Sequence, residues 1–119
     1  MTKKITQSDL AHFTGSETVY RHSLNRNVLY TEGVQYLAEH AGAYWLIDEI
    51  ALAQRYHPHV MREDFQCWKL VVIDSRATLS CDDGNGNIVF AKQIEFTDFP
   101  LPAIQLWVEG NVILLPSEH

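Results

Sequence analysis

Cysteine, basic side chains and long apolar runs are all scarce in this sequence, and each scarcity excludes a class of protein. The two cysteines, Cys67 and Cys81, are too few for a disulfide scaffold. They form no CxxC pair and have no histidine at ligand spacing, so buried thiols are expected rather than a redox centre. No apolar run is long enough to span a bilayer, so no membrane association is expected.

The charge balance is acidic, with 9 basic residues against 15 acidic ones and a formal net charge of −6. Non-specific nucleic-acid binding needs clustered Lys and Arg to neutralise phosphates, so a nucleic-acid partner is not expected. The first ten residues, MTKKITQSDL, contain neither the hydrophobic segment nor the cleavage site of a secretory signal. These features predict a cytoplasmic protein, and 119 residues predict a single domain, 1–119.

Residues 30–56 form the longest segment with helical periodicity. Two sets of apolar residues recur there at intervals of three and four, and on one continuous helix the sets lie on opposite sides. A break at Gly42 resolves this conflict, because glycine readily adopts the left-handed conformation that ends a helix. The sequence therefore predicts helices over about 32–41, capped by Thr31, and about 43–56. The alternative is one long helix between apolar layers.

The remainder of the chain predicts a further short helix and a sheet. Ser8 is a plausible cap for a helix over about 8–13. After the Pro58 turn the apolar period changes from helical to alternating. Five strands are predicted, over about 65–73, 76–82, 87–96, 103–108 and 111–115. Short turns between them favour an antiparallel meander, and the fold class is α+β with the helices packed on one face of the sheet.

The segment 82–87, DDGNGN, has the strongest local signal in the chain. Asn-Gly between two alternating segments favours a primed hairpin turn. The alternating oxygen-bearing residues also suggest a calcium loop starting at Asp83. Such a loop requires Gly at its sixth position and Glu at its twelfth, which are Ile88 and Ile94 here. The turn interpretation is therefore preferred.

No nucleophile elbow, P-loop or dinucleotide-binding glycine pattern occurs in the sequence. Catalysis is therefore the less favoured interpretation, and no cofactor is predicted. Five residues are the candidates for binding a small ligand between the helices and the N-terminal segment: Tyr20, Arg21, His22, Tyr44 and Asp48. Asp48 could also serve as a general base if it were buried.

His57 and His59 are two residues apart around a proline. In an extended segment this spacing places both imidazoles on one side, where they could share a metal ion. Loop histidines are far more often exposed than ligating, so no metal site is predicted, although the pair leaves the question open.

Trp107 alternates with Gln105 and Glu109, opposite an entirely apolar set of residues 104, 106 and 108. If the apolar set faces the helices, Trp107 and Gln105 lie on the outer face of the sheet. A tryptophan in that position is typical of an interface, so a homodimer contact is predicted there. Alternatively, a loop such as 97–102 folds over it.

Four segments together resemble a known group of proteins: GAYWLIDEIA, DGNGN, FTDFPL and the terminal LPSEH. They are similar to a family of small, uncharacterised bacterial proteins, and the resemblance extends from about Leu10 to His119. It implies a bacterial single-domain protein and carries over no catalytic residue. The function expected is a non-catalytic binding or interaction module that self-associates. The alternative is a small-ligand binder or enzyme with its pocket between the helices and the N-terminal segment.

Overall fold

The computed structural model describes residues 5–14 and 18–119. Within them the chain forms four α-helices, seven strands and a C-terminal 3-10 helix. The helices are α1 Gln7–Ala11, α2 Glu32–Ala41, α3 Tyr44–Tyr56 and α4 Pro58–Met61. The strands are β1 Val19–Arg21, β2 Leu29–Thr31, β3 Phe65–Ile73, β4 Arg76–Asp82, β5 Ile88–Ile94, β6 Ala103–Glu109 and β7 Val112–Leu114, and the 3-10 helix is Pro116–Glu118.

The predicted break at Gly42 is confirmed. Gly42 has φ 62° and ψ 39°, the left-handed conformation that ends α2. Thr31 caps the start of α2, because its hydroxyl accepts a hydrogen bond from the Val34 amide at 3.3 Å. The two apolar sets consequently belong to two separate helices, and each helix turns its own set toward a shared core.

The two shorter helices correct the sequence-based prediction. The first helix is capped by Thr6, whose hydroxyl accepts from the Asp9 amide while the Asp9 carboxylate accepts from the Thr6 amide. It therefore begins one residue before the predicted start and ends at Ala11. The turn predicted at Pro58 is instead the short helix α4, with Pro58 in its first turn, where a missing amide hydrogen costs nothing.

The predicted five-stranded antiparallel meander is wrong. The sheet has seven strands in the order β1-β2-β7-β6-β3-β4-β5, and β2 pairs in parallel with β7. The two strands that the sequence did not predict, β1 and β2, lie before α2. Each has three residues, which is too short to show an alternating apolar pattern. Strand β6 lies beside β3 rather than β5, because the 95–102 connection crosses the ends of β3 and β4. Two backbone bonds hold this crossing: Thr97 to the Ser75 carbonyl and Val72 to the Pro102 carbonyl, both 2.8 Å.

The primed turns occur at places other than the predicted one. Asp74 and Ser75 both have positive φ, 52° and 63°, which joins β3 to β4 by a two-residue turn. In the segment predicted to form such a turn, Asn85 does not have a positive φ. The Asp83 carboxylate orders that loop instead, accepting from the Asn85 amide at 2.8 Å and the Asn87 side chain at 2.9 Å. The loop is longer than a two-residue turn because hydrogen bonds to the Asp83 side chain replace the tight backbone turn.

The sheet has an inner face, packed on the helices, and an outer face. Paired residues on adjacent strands share a face, so the register of Trp68 with Cys81 and Leu106 defines the inner side. Inner residues and residues of α2 and α3 form one buried cluster, which includes Leu37, Ile47 and Ile50. The α+β class is therefore confirmed, and α2 and α3 pack against the inner face. In the part of the chain that the structure describes, no helix is long and apolar enough to cross a membrane.

Cys81 lies in this core, and its titration predicts how stability varies at high pH. Burial raises the pKa of the Cys81 thiol from 9.0 to about 12, and the Asp82 carboxylate adds to the shift. The unfolded chain therefore loses this proton at lower pH than the folded chain does. The contribution of Cys81 is fully present below about pH 9 and is lost as the pH rises toward about 12.

We expect the free energy of unfolding to fall from about pH 9 upward, by at most about 1.4 kcal/mol per pH unit for this proton. Urea titrations of the wild type and of Cys81→Ala between about pH 8 and about pH 10 measure the effect. The variant removes this titration while retaining the others, so its stability should fall less steeply. Parallel curves for the two proteins would contradict the prediction.

Candidate functional site

Two of the residues predicted to bind a ligand, His22 and Asp48, are in direct contact. The His22 ring is buried, and its Nε2 lies 2.7 Å from Asp48 Oδ1 on α3. Its Nδ1 accepts hydrogen bonds from the amides of Leu24 at 3.2 Å and Asn25 at 3.0 Å. The segment after β1 is thus folded around this imidazole, and the imidazole holds the carboxylate in place.

These partners determine the chemistry open to His22. Because Nδ1 accepts from two backbone amides, the ring proton of the neutral imidazole is assigned to Nε2, which donates to Asp48. Both ring nitrogens are then occupied, and neither has a lone pair available to remove a proton from a substrate. The geometry favours a positioning role for His22 over a general-base role.

Three tyrosines are associated with Asp48, one on its own helix and two on strands β1 and β2. The Tyr20 and Tyr30 rings are stacked, with centroids 5.6 Å apart and planes inclined by 26°. Tyr44 precedes Asp48 by one turn on α3, and its hydroxyl donates to the Glu39 carboxylate at 2.9 Å. Burial raises the pKa of Tyr30, with further contributions from Tyr20 and from Asp48. Burial likewise raises the pKa of Tyr44, and Glu39 adds to the shift. We name Tyr20, Tyr30, Tyr44 and Asp48 the tyrosine cluster.

Arg21 is not part of this cluster. It follows Tyr20 in strand β1, and successive strand residues point to opposite faces. Its guanidinium donates instead to the backbone carbonyl of Arg26. The predicted set of five thus divides into four residues on the helix side of β1 and one on the other side.

Trp107 lies on the outer face, where its ring belongs to an aromatic group. It is half-buried, whereas Ile104, Leu106 and Val108 of the same strand are buried on the inner side. Its ring packs edge-on against Phe65 at 5.3 Å and against His119 at 5.2 Å. The terminal residue His119 therefore contacts this tryptophan. We name Phe65, Trp107 and His119 the outer aromatic group.

A polar patch adjoins the outer aromatic group. The Gln105 amide oxygen accepts from Trp107 Nε1 at 3.4 Å and from the Cys67 thiol at 3.6 Å. Burial raises the pKa of this thiol, and the negative charge of Asp82 adds to the shift. Lys69 lies 3.9 Å from Asp82, which also accepts from the Gly84 amide at 2.7 Å. These side chains surround a shallow pocket of about 200 Å³.

His57 and His59 are engaged separately. The His57 ring packs on Phe90, with centroids 4.8 Å apart, and His59 Nδ1 lies 2.7 Å from an Arg62 nitrogen. Across residues 5–14 and 18–119, no three His, Cys, Asp or Glu side chains form a group that could hold a metal ion.

Several residues of these two surfaces are not identifiable from the sequence. Tyr30 joins the tyrosine cluster because β1 and β2 pair with Tyr20 opposite Tyr30. Phe65 meets Trp107 because β3 and β6 pair with Cys67 opposite Trp107. Both contacts depend on strand register, and only the second joins segments far apart in the chain. The pairing of aromatic residues across predicted strands is the signal that could have indicated them.

The fold and these surfaces define a small α+β protein with a mixed seven-stranded sheet and two polar-aromatic surfaces, one on each side of that sheet. The chain belongs to the family of unknown function DUF6876, whose model matches residues 4–119. This match confirms the expectation of an uncharacterised family covering most of the chain. No curated protein and no solved structure matches it. The family transfers no catalytic residue, ligand or partner, so function has to be argued from the surfaces themselves.

Proposed function

We propose that this protein is a non-catalytic binding module that self-associates through the outer face of its sheet, with a second copy of the chain as the occupant. The observation that supports it most is the outer aromatic group, on a face that α2 and α3 do not cover. Its Phe65 and Trp107 are half-buried and its His119 is exposed. Three further apolar side chains on the same face are exposed, Val71 by 44%, Ile73 by 68% and Ile88 by 60%. Burying such area stabilises an assembly by roughly 25 cal/mol per Å².

Charge on this face is consistent with a second copy as the partner. Outer positions of β3, β4 and β6 carry two basic residues, Lys69 and Arg76, and two acidic residues, Asp82 and Glu109. The face is therefore balanced, although the chain as a whole has a net charge of −6. Two copies meeting face to face repel each other less here than across the acidic remainder of the surface, and a two-fold contact can place opposite charges together.

We further propose that residues 1–119 form one domain of a protein of the bacterial cytoplasm, without a nucleic-acid partner. Both cysteines are free and buried, which is typical of proteins in a reducing compartment. The acidic net charge disfavours phosphate binding. The resemblance of the sequence to bacterial proteins supports a bacterial origin.

The test of self-association is sedimentation at tens of micromolar combined with thermal melting. We expect a dimer for the wild type and monomers for Trp107→Ala and Ile73→Lys. Ile73 is largely exposed, so Ile73→Lys should leave the melting of the monomer within a few degrees, whereas Trp107→Ala also removes contacts to Phe65 and His119.

Tyr56→Ala is the matched control, because Tyr56 is an aromatic residue exposed by 65% at the end of α3. It should remain dimeric. A wild type that is monomeric at these concentrations would overturn the proposal. Unfolding of Trp107→Ala without a dimer in the wild type would assign Trp107 to the core.

The tyrosine cluster supports a second candidate function, the binding of a small ligand. The specific observation is that a buried imidazole holds the Asp48 carboxylate, while 47% of the Asp48 side chain remains exposed. A buried group that orients an exposed one is an arrangement typical of binding sites. This candidate and self-association use different faces, so the two are compatible.

A further inference from the structure

We propose that the tyrosine cluster binds an organic cation of the ammonium class. The inference rests on the ligand-binding role proposed above for this cluster, and it is independent of self-association. Its elements are one positioned carboxylate and the faces of three electron-rich rings. Together these are the groups that recognise ammonium ions in proteins.

The carboxylate of Asp48 is fixed yet accessible. Its Oδ1 accepts from His22 Nε2 at 2.7 Å, and the imidazole in turn is held by two backbone amides. The side chain therefore does not need to be ordered when a ligand arrives, which lowers the entropic cost of binding. Among the described residues no other donor contacts Asp48, so Oδ2 is available to an ammonium hydrogen.

The three rings come from three elements, β1, β2 and α3. Tyr20 and Tyr30 come from the sheet edge, and their stack is exposed at Tyr20 by 38%. Tyr44 comes from α3, one turn before Asp48, and is exposed by 42%. The quadrupoles of these rings attract positive charge and would add to the attraction of the Asp48 carboxylate for a cation.

Local charge favours a cation over an anion. Glu39 accepts the hydroxyl hydrogen of Tyr44 at 2.9 Å and so adds a second negative charge next to the tyrosine cluster. The nearest basic residue in the sequence, Arg21, lies on the opposite face of β1 and is bonded to the Arg26 carbonyl. An anionic ligand meets two carboxylates here, whereas a cation is attracted by both.

The experiment is a nuclear magnetic resonance titration of the full chain at constant ionic strength. The probes are tetramethylammonium chloride and butylammonium chloride, with tert-butanol and butanol as neutral counterparts. We expect saturable shifts at the amides of Tyr44 and Asp48 with the two cations, in the millimolar range typical of small ions. The neutral counterparts should bind at least about threefold more weakly, the factor that one exposed cation–π contact provides.

Three variants separate the contributions of the Asp48 charge, the Tyr20 ring and the net charge to cation binding. Asp48→Asn keeps an acceptor for His22 but removes the charge, and should weaken cation binding about threefold or more. Tyr20→Leu should weaken it about two- to fivefold. Asp98→Asn, in the loop between β5 and β6, makes the same change in net charge and should leave binding unchanged.

The source of the ammonium is distinguished by a further probe, the Nα-acetyl methylamide of lysine. Binding as tight as that of butylammonium supports a lysine side chain of a partner as the source, and weaker binding supports a free amine. Equal binding of cations and neutral counterparts would overturn the cation assignment while leaving a ligand role. An equal loss of cation affinity in Asp48→Asn and Asp98→Asn would overturn both the cation assignment and the ligand-binding role. The absence of a saturable shift with any probe would do the same.

Discussion

Gln66→Leu is expected to lower the free energy of unfolding by about 3 kcal/mol or more, the largest effect of any single substitution we consider. Gln66 is 1% exposed near the start of β3. Its amide nitrogen contacts the Gln54 side chain at 2.8 Å and the Val60 carbonyl at 2.9 Å, and its oxygen accepts from Trp68 Nε1 at 2.9 Å. Leucine preserves the volume and removes every one of these bonds.

The size of the loss follows from the groups left behind. Trp68 is the largest buried side chain of the core, and its indole N–H loses the acceptor that satisfies it. The Gln54 side-chain oxygen loses the donor at 2.8 Å, whereas the Val60 carbonyl keeps the Glu63 amide at 3.0 Å. A buried polar group without a partner costs about 1–3 kcal/mol, so these two groups together exceed the effect of an ordinary substitution.

Urea denaturation followed by tryptophan fluorescence measures this effect. Gln93→Leu is the matched control, because Gln93 is an exposed glutamine of β5, and it should change stability by less than about 0.5 kcal/mol. The double variant Gln54→Leu, Gln66→Leu should recover part of the loss, since both amides of the pair are then absent. A loss below about 1 kcal/mol in Gln66→Leu would show that water replaces the missing bonds.

Glu118→Ala should destabilise the protein by about 2–4 kcal/mol, although it changes the second-last residue of the chain. The Glu118 carboxylate is buried and accepts from the Thr31 hydroxyl at 2.6 Å, the Gly33 amide at 3.1 Å and the Leu115 amide at 2.9 Å. Thr31 caps α2 with the same hydroxyl. A negative charge at the start of a helix also favours the helix dipole.

The matched control is Glu109→Ala. Glu109 also contacts the terminal segment, 3.3 Å from His119, but 56% of its side chain is exposed, and its loss should cost less than about 0.5 kcal/mol. Hydrogen exchange at the first turn of α2 should accelerate in Glu118→Ala and not in Glu109→Ala. Equal exchange in the two variants would show that the terminal carboxylate does not hold the helix.

Gly33 explains why the terminal segment fits so closely against α2. A Cβ atom at this position would lie 2.7 Å from the Glu118 carboxyl carbon and 2.7 Å from a Leu115 methyl group. Glycine is therefore required by the approach of the chain terminus and not by its own backbone conformation. Nothing in the local sequence explains a glycine inside α2, whereas the close approach of the terminal segment does.

The candidate sites were partly predictable. The sequence predicts both Asp48 and His22 among five ligand-binding candidates, but it does not pair them. Their contact depends on the bend of residues 22–28, where the Val28 and His22 backbones bond at 2.9 Å. Trp107 and Gln105 were placed on the outer face by alternation alone. Phe65 and His119, which complete that group, are brought there by strand register and by the chain terminus.

The sequence by itself determined the local elements. The Gly42 break, the Thr31 cap and the alternation in β3, β4 and β6 are consequences of backbone sterics and apolar period, which act over a few residues. Only the tertiary structure decided that β6 lies beside β3, that β2 and β7 pair in parallel, and that Glu118 caps α2. These contacts join residues up to 87 positions apart. Their free energy comes from burial and hydrogen bonds that exist only when distant segments meet, so no local pattern records them.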